Sequence, residues 1–199
     1  MMILLTYTEM MMLKHSLGIL ALTIFGTTMT AHAAYMQGNI GLSTYDVGGI
    51  GNAINDLDKE GKPAFRLAVG DESKARSFRY AVDYTHFGAL EETVNGATAE
   101  FTTQGLGVSI ASDLANYDKF TPYGGLRLGL NSLEFSAENG TDRVKTDKKT
   151  AGVDATVGVQ YALNPQIALD VNAEYNHLGK IDGTKIIQYG VNTGVRFNF

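Results

Sequence analysis

Hydrophobic and polar residues alternate with a period of two along most of this chain. In the segment FRYAVDYT, Phe78, Tyr80 and Val82 lie on one face of an extended strand, whereas Arg79 and Asp83 lie on the other. Successive side chains of a β-strand point to opposite faces, so this alternation predicts strands. The pattern recurs in segments that cover residues 36–42, 65–70, 78–85, 105–110, 126–131, 153–161, 167–175 and 188–199. No segment shows a helical period, and the sequence therefore predicts one all-β domain.

The connections between these segments differ in length in a regular way. Longer polar stretches with Gly, Asn and Asp lie near 48–62, 88–98, 136–149 and 179–185, tight connections near 71–75 and 164–165, and an intermediate one near 112–119. An up-and-down barrel of the outer membrane has short periplasmic turns and longer external loops. We therefore expect an all-β fold, an eight-stranded antiparallel up-and-down transmembrane β-barrel with four external loops.

The two faces of the predicted strands differ in chemistry. One carries Leu, Val, Ile and aromatic residues, and the other carries Gly, Ser, Asn, Gln and charged residues. A soluble barrel would bury the apolar face and a membrane barrel would expose it to lipid, and the alternation alone is compatible with both. Tyr and Phe near the strand ends, the Gly-rich polar face and the terminal Phe199 favour the membrane barrel. In lipid the sheet must close, so the last strand is expected to pair with the first.

Charged residues on the polar face form the first candidate site. Four arginines and four acidic residues are predicted to face the lumen: Arg66, Arg79, Arg127 and Arg196 with Asp83, Asp154, Asp170 and Glu174. Unpaired charges are costly in a narrow interior, so we expect these groups to pair. Because eight strands enclose an interior that side chains just fill, the network is interpreted as a structural plug. A gated polar path through the lumen is the alternative.

The first 33 residues have the features of a secretory signal. Lys14 supplies a positive end, the apolar run Leu17 to Phe25 follows, and Ala31-His32-Ala33 matches the small-x-small cleavage pattern. The apolar run is too short to span a bilayer comfortably. We expect residues 1–33 to be removed and residues 34–199 to form the outer-membrane barrel.

Composition argues against several functions. The net charge of −5 without a basic stripe indicates that nucleic acid is not a partner. The absence of Cys excludes disulfides and thiolate metal sites. Beyond the signal, the histidines are His86 and His177, which lack the spacing of a metal site or of a catalytic triad. We therefore expect no cofactor, no metal and no enzymatic activity.

Charged residues in two of the longer connections are candidate contacts. They are Glu91 and Glu92 in the second long connection and Arg143, Lys145, Lys148 and Lys149 in the segment TDRVKTDKK of the third. The acidic pair is a candidate contact for calcium or a basic partner, and the basic group for lipopolysaccharide phosphates or acidic glycans. In both places, solvated surface charge is the alternative interpretation.

Several strand patterns resemble the opacity family of Gram-negative outer-membrane proteins, the family of neisserial surface protein A. The resemblance rests on FRYAVDYTHF (78–87), TPYGGLRLGLN (121–131), NPQIALDVNAEYNHLGKI (164–181) and the closing GVRFNF. It implies a cell outer membrane location, contact with outer-membrane lipid and lipopolysaccharide, and a largely monomeric barrel that acts as an adhesin or surface antigen towards host molecules. Members often carry the label porin, so a small channel through the lumen is the second function to consider.

The aromatic alternation of the last strand is also similar to the signal that directs such barrels to the barrel assembly machinery. The residues that match this signal are Tyr189, Phe197 and Phe199. The external connections match no binding motif of the family, so the resemblance does not identify a receptor.

Overall fold

A computed structural model describes residues 35–47, 61–73, 78–94, 97–139, 142–181 and 183–199. These residues form eight strands: β1 (Tyr35–Val47), β2 (Lys62–Ser73), β3 (Phe78–Val94), β4 (Ala97–Asp113), β5 (Phe120–Asn139), β6 (Asp142–Ala162), β7 (Ile167–Ile181) and β8 (Thr184–Asn198). Among these residues, no helix has the length and hydrophobicity needed to cross a membrane. The expected signal segment 1–33 lies outside the described residues.

The strands form a closed antiparallel barrel in sequence order. Each strand pairs with the next along the chain, and β8 pairs with β1 from Tyr35↔Asn198 to Val47↔Ile186. The eight strands of the structure contain the eight predicted segments, except that β8 ends at Asn198, one residue before the predicted end. The predictions of an up-and-down barrel and of pairing between the last and first strands are therefore confirmed.

Burial along the strands is inverted relative to a soluble protein. Ile40, Leu130 and Val191 on the apolar face are 67%, 74% and 63% exposed, whereas Arg127 and Asp154 on the polar face are 4% and 3% exposed. The apolar face therefore points outwards and the polar face lines the lumen, which is the arrangement of a barrel in lipid.

Aromatic residues lie at both ends of the apolar outer band. At the end with the short turns, the rings of Phe197 and Phe199 are 5.5 Å apart, and at the other end the rings of Tyr175 and Tyr189 are also 5.5 Å apart. Amphipathic aromatic side chains favour the two membrane interfaces. The band between these rings is the membrane-spanning part.

The expectation of four long external loops is wrong for three of them. Most of the connections predicted near 88–98, 136–149 and 179–185 is strand, because β3 and β4 continue to Val94 and from Ala97, β5 and β6 to Asn139 and from Asp142, and β7 and β8 to Ile181 and from Thr184. Residues 48–60 of the first predicted loop lie outside the described residues. These polar residues belong to long hairpins, because pairing continues through them between β3 and β4, β5 and β6, and β7 and β8.

Candidate functional site

The middle of the lumen is filled by a layer of buried ion pairs. Arg127 Nε donates to both carboxylate oxygens of Asp83 at 2.8 and 2.9 Å, and its Nη1 donates to Asp154 Oδ2 at 2.7 Å. Arg66 binds the Glu174 carboxylate through both terminal nitrogens, one of them at 3.1 Å. Five of the eight predicted lumen charges therefore contact one another across β2, β3, β5, β6 and β7.

A second charged layer lies at the periplasmic end and includes two acidic residues that were not predicted. Arg79 Nη2 lies 3.0 Å from Asp113 Oδ1, and Arg196 forms an ion pair with Glu72. Glu72 and Asp113 continue the inward alternation of β2 and β4, so extending the period beyond the predicted segments would have located them. The predicted balance of four charges against four is therefore too simple, because these two carboxylates also belong to the network.

Asp170 is held differently from the other lumen acids. It is completely buried, and its carboxylate accepts hydrogen bonds from Asn39 Nδ2 at 2.9 Å, the Tyr123 hydroxyl at 2.9 Å and Asn172 Nδ2 at 2.6 Å. Neutral donors satisfy this carboxylate between the two charged layers. The prediction placed Asp170 in the lumen, but its partners came only from the structure.

Two glycines make room for the central arginine. A Cβ added at Gly107 or Gly129 would collide with the Arg127 guanidinium. Glycine at these two positions is therefore a packing requirement of the ion-pair layer, since a larger residue would displace its central cation.

An apolar cluster closes the lumen above the ion pairs. Five inward side chains form it, and each is at most 5% exposed: Tyr45, Phe87, Leu133, Leu178 and Ile186. We call this cluster the apolar plug. It was not predicted, because its residues lie just outside the segments whose alternation predicted strands.

Two strand irregularities direct side chains into the apolar plug. The register shifts between His86 and Ala89 on β3 and between His177 and Gly179 on β7. Gly88 and Gly179 have φ values of 97° and 123°, in the region that glycine adopts most readily. Each bulge lies beside a plug residue, Phe87 or Leu178. These glycines were the sequence signal that could have indicated the bulges.

Two cavities lie along the described lumen. The cavity among the central residues has a volume of about 80 Å³, which is enough for a few water molecules. A larger cavity of about 310 Å³ lies at the periplasmic end, beside Glu72, Arg79 and Arg196. The central ion pairs and the apolar plug lie between the periplasmic cavity and the opposite end of the barrel.

Four strands continue past the membrane and form a projecting sheet. It consists of residues 88–94, 97–103, 132–139 and 142–150, which are paired in the order β3-β4-β5-β6. We call it the extracellular sheet, because barrels of this type keep their short turns in the periplasm. From Leu133 to Asn139, β5 alone spans roughly 20 Å at about 3.4 Å per residue.

The two faces of the extracellular sheet differ in chemistry. Its inward face carries Leu90 and Phe101, which pack on the apolar plug, and continues upwards to Phe135 and Val144, which are 45% and 62% exposed. Its outward face carries polar pairs, such as Lys145 Nζ with Glu134 Oε2 at 2.9 Å. In the membrane-spanning part the apolar face points outwards, whereas in the extracellular sheet the apolar face points inwards.

The candidate contacts that were predicted in loops lie on strands. Glu91 and Glu92 belong to β3 of the extracellular sheet, and Arg143, Lys145, Lys148 and Lys149 belong to β6. The acidic pair and the basic group therefore lie on opposite margins of this sheet, separated by β4 and β5. The structure does not bring them together.

The residues of the predicted insertion signal lie on the outer surface of β8. Phe197 and Phe199 are near the periplasmic end and Tyr189 is near the extracellular end, and all three are between 43% and 69% exposed. They therefore face lipid at opposite interfaces.

His86 packs against an aromatic ring, and His177 lies at a strand irregularity. The His86 ring stacks on Phe65 with 5.3 Å between centroids, and His177 lies at the bulge of β7. Within the described ranges, no group of three or more His, Cys, Asp or Glu residues has the arrangement of a metal site.

Comparisons with known proteins agree with this geometry. Residues 71–199 match the model of the family described as "Opacity family porin protein". The protein "Protein opa" of Haemophilus influenzae is 31% identical over 131 residues, which cover 63% of this chain and 98% of that protein. A second Haemophilus influenzae protein, described as uncharacterized, is 31% identical over 186 residues, 88% of this chain and 95% of its own length.

Solved structures show the same barrel. The crystal structure of neisserial surface protein A matches with a TM-score of 0.65 and 25% identity, over 83% of this chain and 96% of that one. The Yersinia pestis attachment invasion locus protein Ail, solved with the heparin analogue sucrose octasulfate, matches with a TM-score of 0.51 and 20% identity, over 82% and 98% of the two chains. The second match shows the fold alone.

The inverted barrel, the aromatic bands and the family match lead to one conclusion, which confirms the resemblance noted in the sequence. This chain belongs to the opacity family and is an eight-stranded β-barrel surface protein of the Gram-negative outer membrane.

Proposed function

We propose that this protein is a binding protein of the adhesin type, in which a closed barrel presents the extracellular sheet to molecules of a host surface. The observation that carries the proposal is the exposed apolar face of that sheet, where Phe135 and Val144 stand above the plug without being buried. Exposed apolar groups rimmed by charge are typical of protein interaction sites. A rigid barrel below the sheet limits the entropy lost on binding.

Hairpin shortening tests this function. Residues 91–100 and 136–145 are removed, and the pairs Leu90↔Phe101 and Phe135↔Thr146 are each closed by an Asn-Gly turn. We expect the variant to keep the heat-modifiable gel migration of a folded barrel and to lose adhesion of displaying bacteria to cultured epithelial cells. Adhesion equal to that of the unchanged barrel would contradict the proposal.

The small channel was the alternative function, and the lumen geometry gives it less support. Ions would have to pass the apolar plug and the Arg127 ion pairs, which leave a central cavity of about 80 Å³. We expect planar bilayers that contain the refolded barrel 34–199 to show no steps that scale with salt concentration. Reproducible steps would favour the channel and identify the lumen charges as its functional site.

Several earlier expectations remain part of the proposal. The segment 1–33 is removed as a signal, Phe197 and Phe199 contribute to recognition by the barrel assembly machinery, and the barrel is monomeric. Lys149 lies on the outward face near the upper limit of the apolar band, which supports a contact with lipopolysaccharide phosphates. The protein is proposed to act without enzymatic chemistry, cofactor or nucleic acid.

A further inference from the structure

The margin of the extracellular sheet formed by β6 offers unpaired backbone. Residues 142–149 pair with β5, from Asp142↔Asn139 to Lys149↔Ser132. Pairing between β6 and β7 begins only at Val153↔His177, and no described strand pairs with residues 142–149 on that side. We call this segment the β6 edge. In an antiparallel strand, alternate residues direct their N–H and C=O groups to each side, so about half of these residues offer both groups to a further strand.

Side chains of the β6 edge differ between its two faces. On the outward face, Lys145 and Lys149 are exposed on either side of the exposed Asp147, and Lys145 also pairs with Glu134 of β5. On the inward face, Val144 and Thr146 are exposed next to Phe135, and the partly buried Lys148 follows them. A strand added here would place alternate side chains beside these two sets, because cross-strand neighbours lie on the same face. Acidic residues would suit the outward positions beside Lys145 and Lys149, and apolar residues the inward positions beside Val144 and Thr146.

From this arrangement we propose that the β6 edge binds an extended segment of a partner protein by β-strand addition, and that the segment alternates acidic and apolar residues. The inference rests on the proposed function, since it names the partner chemistry of the same extracellular sheet. Backbone hydrogen bonds supply affinity in this mode of recognition, and the alternating side chains supply specificity.

A second copy in the same membrane does not fit this edge. The margin that would match it in charge is β3, which carries Glu91. Both margins stand above their own barrel, and the open side of each lies over the remaining strands β7, β8, β1 and β2 of that barrel. Two barrels side by side in one membrane would therefore keep these margins apart, whereas a free extended segment can reach either one.

Peptide binding to the intact barrel in lipid nanodiscs tests the inference. The probe is a fluorescent eight-residue peptide that alternates Glu and Val, and the comparison peptides alternate Lys and Val or separate the four Glu from the four Val. We expect saturable anisotropy changes with the alternating acidic peptide alone. Binding of the separated peptide with equal affinity would overturn strand addition, because it has the same charge without the alternation.

Charge reversal identifies the edge. The variant K145E/K149E is expected to weaken binding of the acidic peptide by about tenfold, as two cross-strand pairs become repulsive. The matched control K180E/K185E changes the same charge at an exposed pair on the β7–β8 hairpin, at the same end of the barrel. If both variants lost the same affinity for the acidic peptide, the effect would come from the net charge of the barrel and not from the β6 edge, and the inference would be overturned.

Hydrogen exchange distinguishes an added strand from side-chain attraction. On peptide binding, we expect slower exchange at alternate amides between residues 144 and 149, and unchanged exchange in the β7–β8 hairpin. Uniform or absent protection would overturn strand addition and leave the lysines as protection against unwanted edge pairing. Self-association of the barrel without peptide binding would also overturn it.

The experiments distinguish failure of strand addition at the β6 edge from failure of the proposed adhesin function. If hairpin shortening abolishes adhesion but the β6 edge binds no alternating peptide, the extracellular sheet binds by its apolar face and only the inference falls. If adhesion survives shortening, the proposed function falls whatever the peptide does.

Discussion

The lumen of this barrel is filled in two different ways along its length. In the membrane-spanning part, Arg66 and Arg127 bind three carboxylates in a layer that is almost completely buried. At the extracellular end, Phe87 and Leu178 belong to a plug of apolar side chains. The outer surface changes in the opposite sense, from apolar in lipid to charged above it. The comparison shows that polar side chains fill the lumen where the outer surface is apolar, and that apolar side chains fill it where the outer surface is charged.

The ion-pair layer and the apolar plug should differ in how much stability the barrel loses when one of their side chains is removed. An ion-pair layer depends on every partner, because a single deletion leaves a buried charge unpaired. An apolar plug loses only the contacts of the deleted atoms and part of the space they filled.

Replacement of the central arginine should have the largest effect. R127M leaves the Asp83 and Asp154 carboxylates without the cation that lies 2.7–2.9 Å from them. We expect the free energy of unfolding to fall by about 3–5 kcal/mol. Circular dichroism in a urea titration measures it, which suits a chain without Trp.

The control for this variant is an exposed ion pair of the extracellular sheet. Lys145 and Glu134 are 47% and 33% exposed, so K145M should cost at most about 1 kcal/mol. Similar losses for R127M and K145M would mean that water reaches the central layer.

Truncation of the apolar plug should be the next in size. Leu178 is completely buried, and L178A is expected to lower the free energy of unfolding by about 2–5 kcal/mol through lost contacts and an unfilled cavity. The matched variant L128A removes the same atoms from a side chain that is 60% exposed on the outer face. If L128A lowered the free energy of unfolding more than L178A, contacts of the outer face with lipid would contribute more to stability than packing in the apolar plug.

A methyl group introduced beneath the central arginine should have a moderate effect. G107A places a Cβ against the Arg127 guanidinium, and overpacking of this kind costs about 1–3 kcal/mol. At Gly38 on the outer face, an added Cβ would lie 3.6 Å from Leu67 Cδ2, an ordinary contact. Urea titrations of G107A and G38A should therefore differ, and equal stability would show that Arg127 can move aside at little cost.

The smallest effect on stability is expected in the extracellular sheet. Phe135 is 45% exposed, and F135S should change the free energy of unfolding by at most about 0.5 kcal/mol. Adhesion to epithelial cells should nevertheless decrease, because an apolar group is lost from the proposed binding face. Unchanged adhesion together with unchanged stability would remove Phe135 from that face.

Sequence reasoning was most successful where lipid imposes a strict pattern. Period-two alternation predicted eight strands, their order and the inward position of residues such as Arg127 and Asp170, since each strand must alternate between lipid and lumen. It failed beyond the membrane, where polar residues on both sides of a hairpin resemble a loop. Residues 136–139 and 142–149 are mostly polar in sequence, and they are strands because β5 and β6 continue to pair.

Within the candidate site, the sequence did not predict which arginine forms an ion pair with which carboxylate. The sequence indicated which charges face inwards, but Arg127 selects Asp83 and Asp154 because strand stagger brings β3, β5 and β6 side chains to one level. The apolar plug required the bulges at Gly88 and Gly179, which redirect the chain next to Phe87 and Leu178. Alternation with a fixed period cannot anticipate such a shift.

The strands and the chemistry of their two faces followed from the sequence, because the alternation of side chains in an extended strand depends only on local order. The aromatic strand ends, the Gly-rich polar face and the resemblance to the family then indicated which face meets lipid. The tertiary structure alone decided which lumen charges meet, that apolar side chains close the lumen, and that the external charges lie on two margins of one sheet. Those features depend on distances between strands that are far apart in the chain, and such distances are established only when the barrel closes.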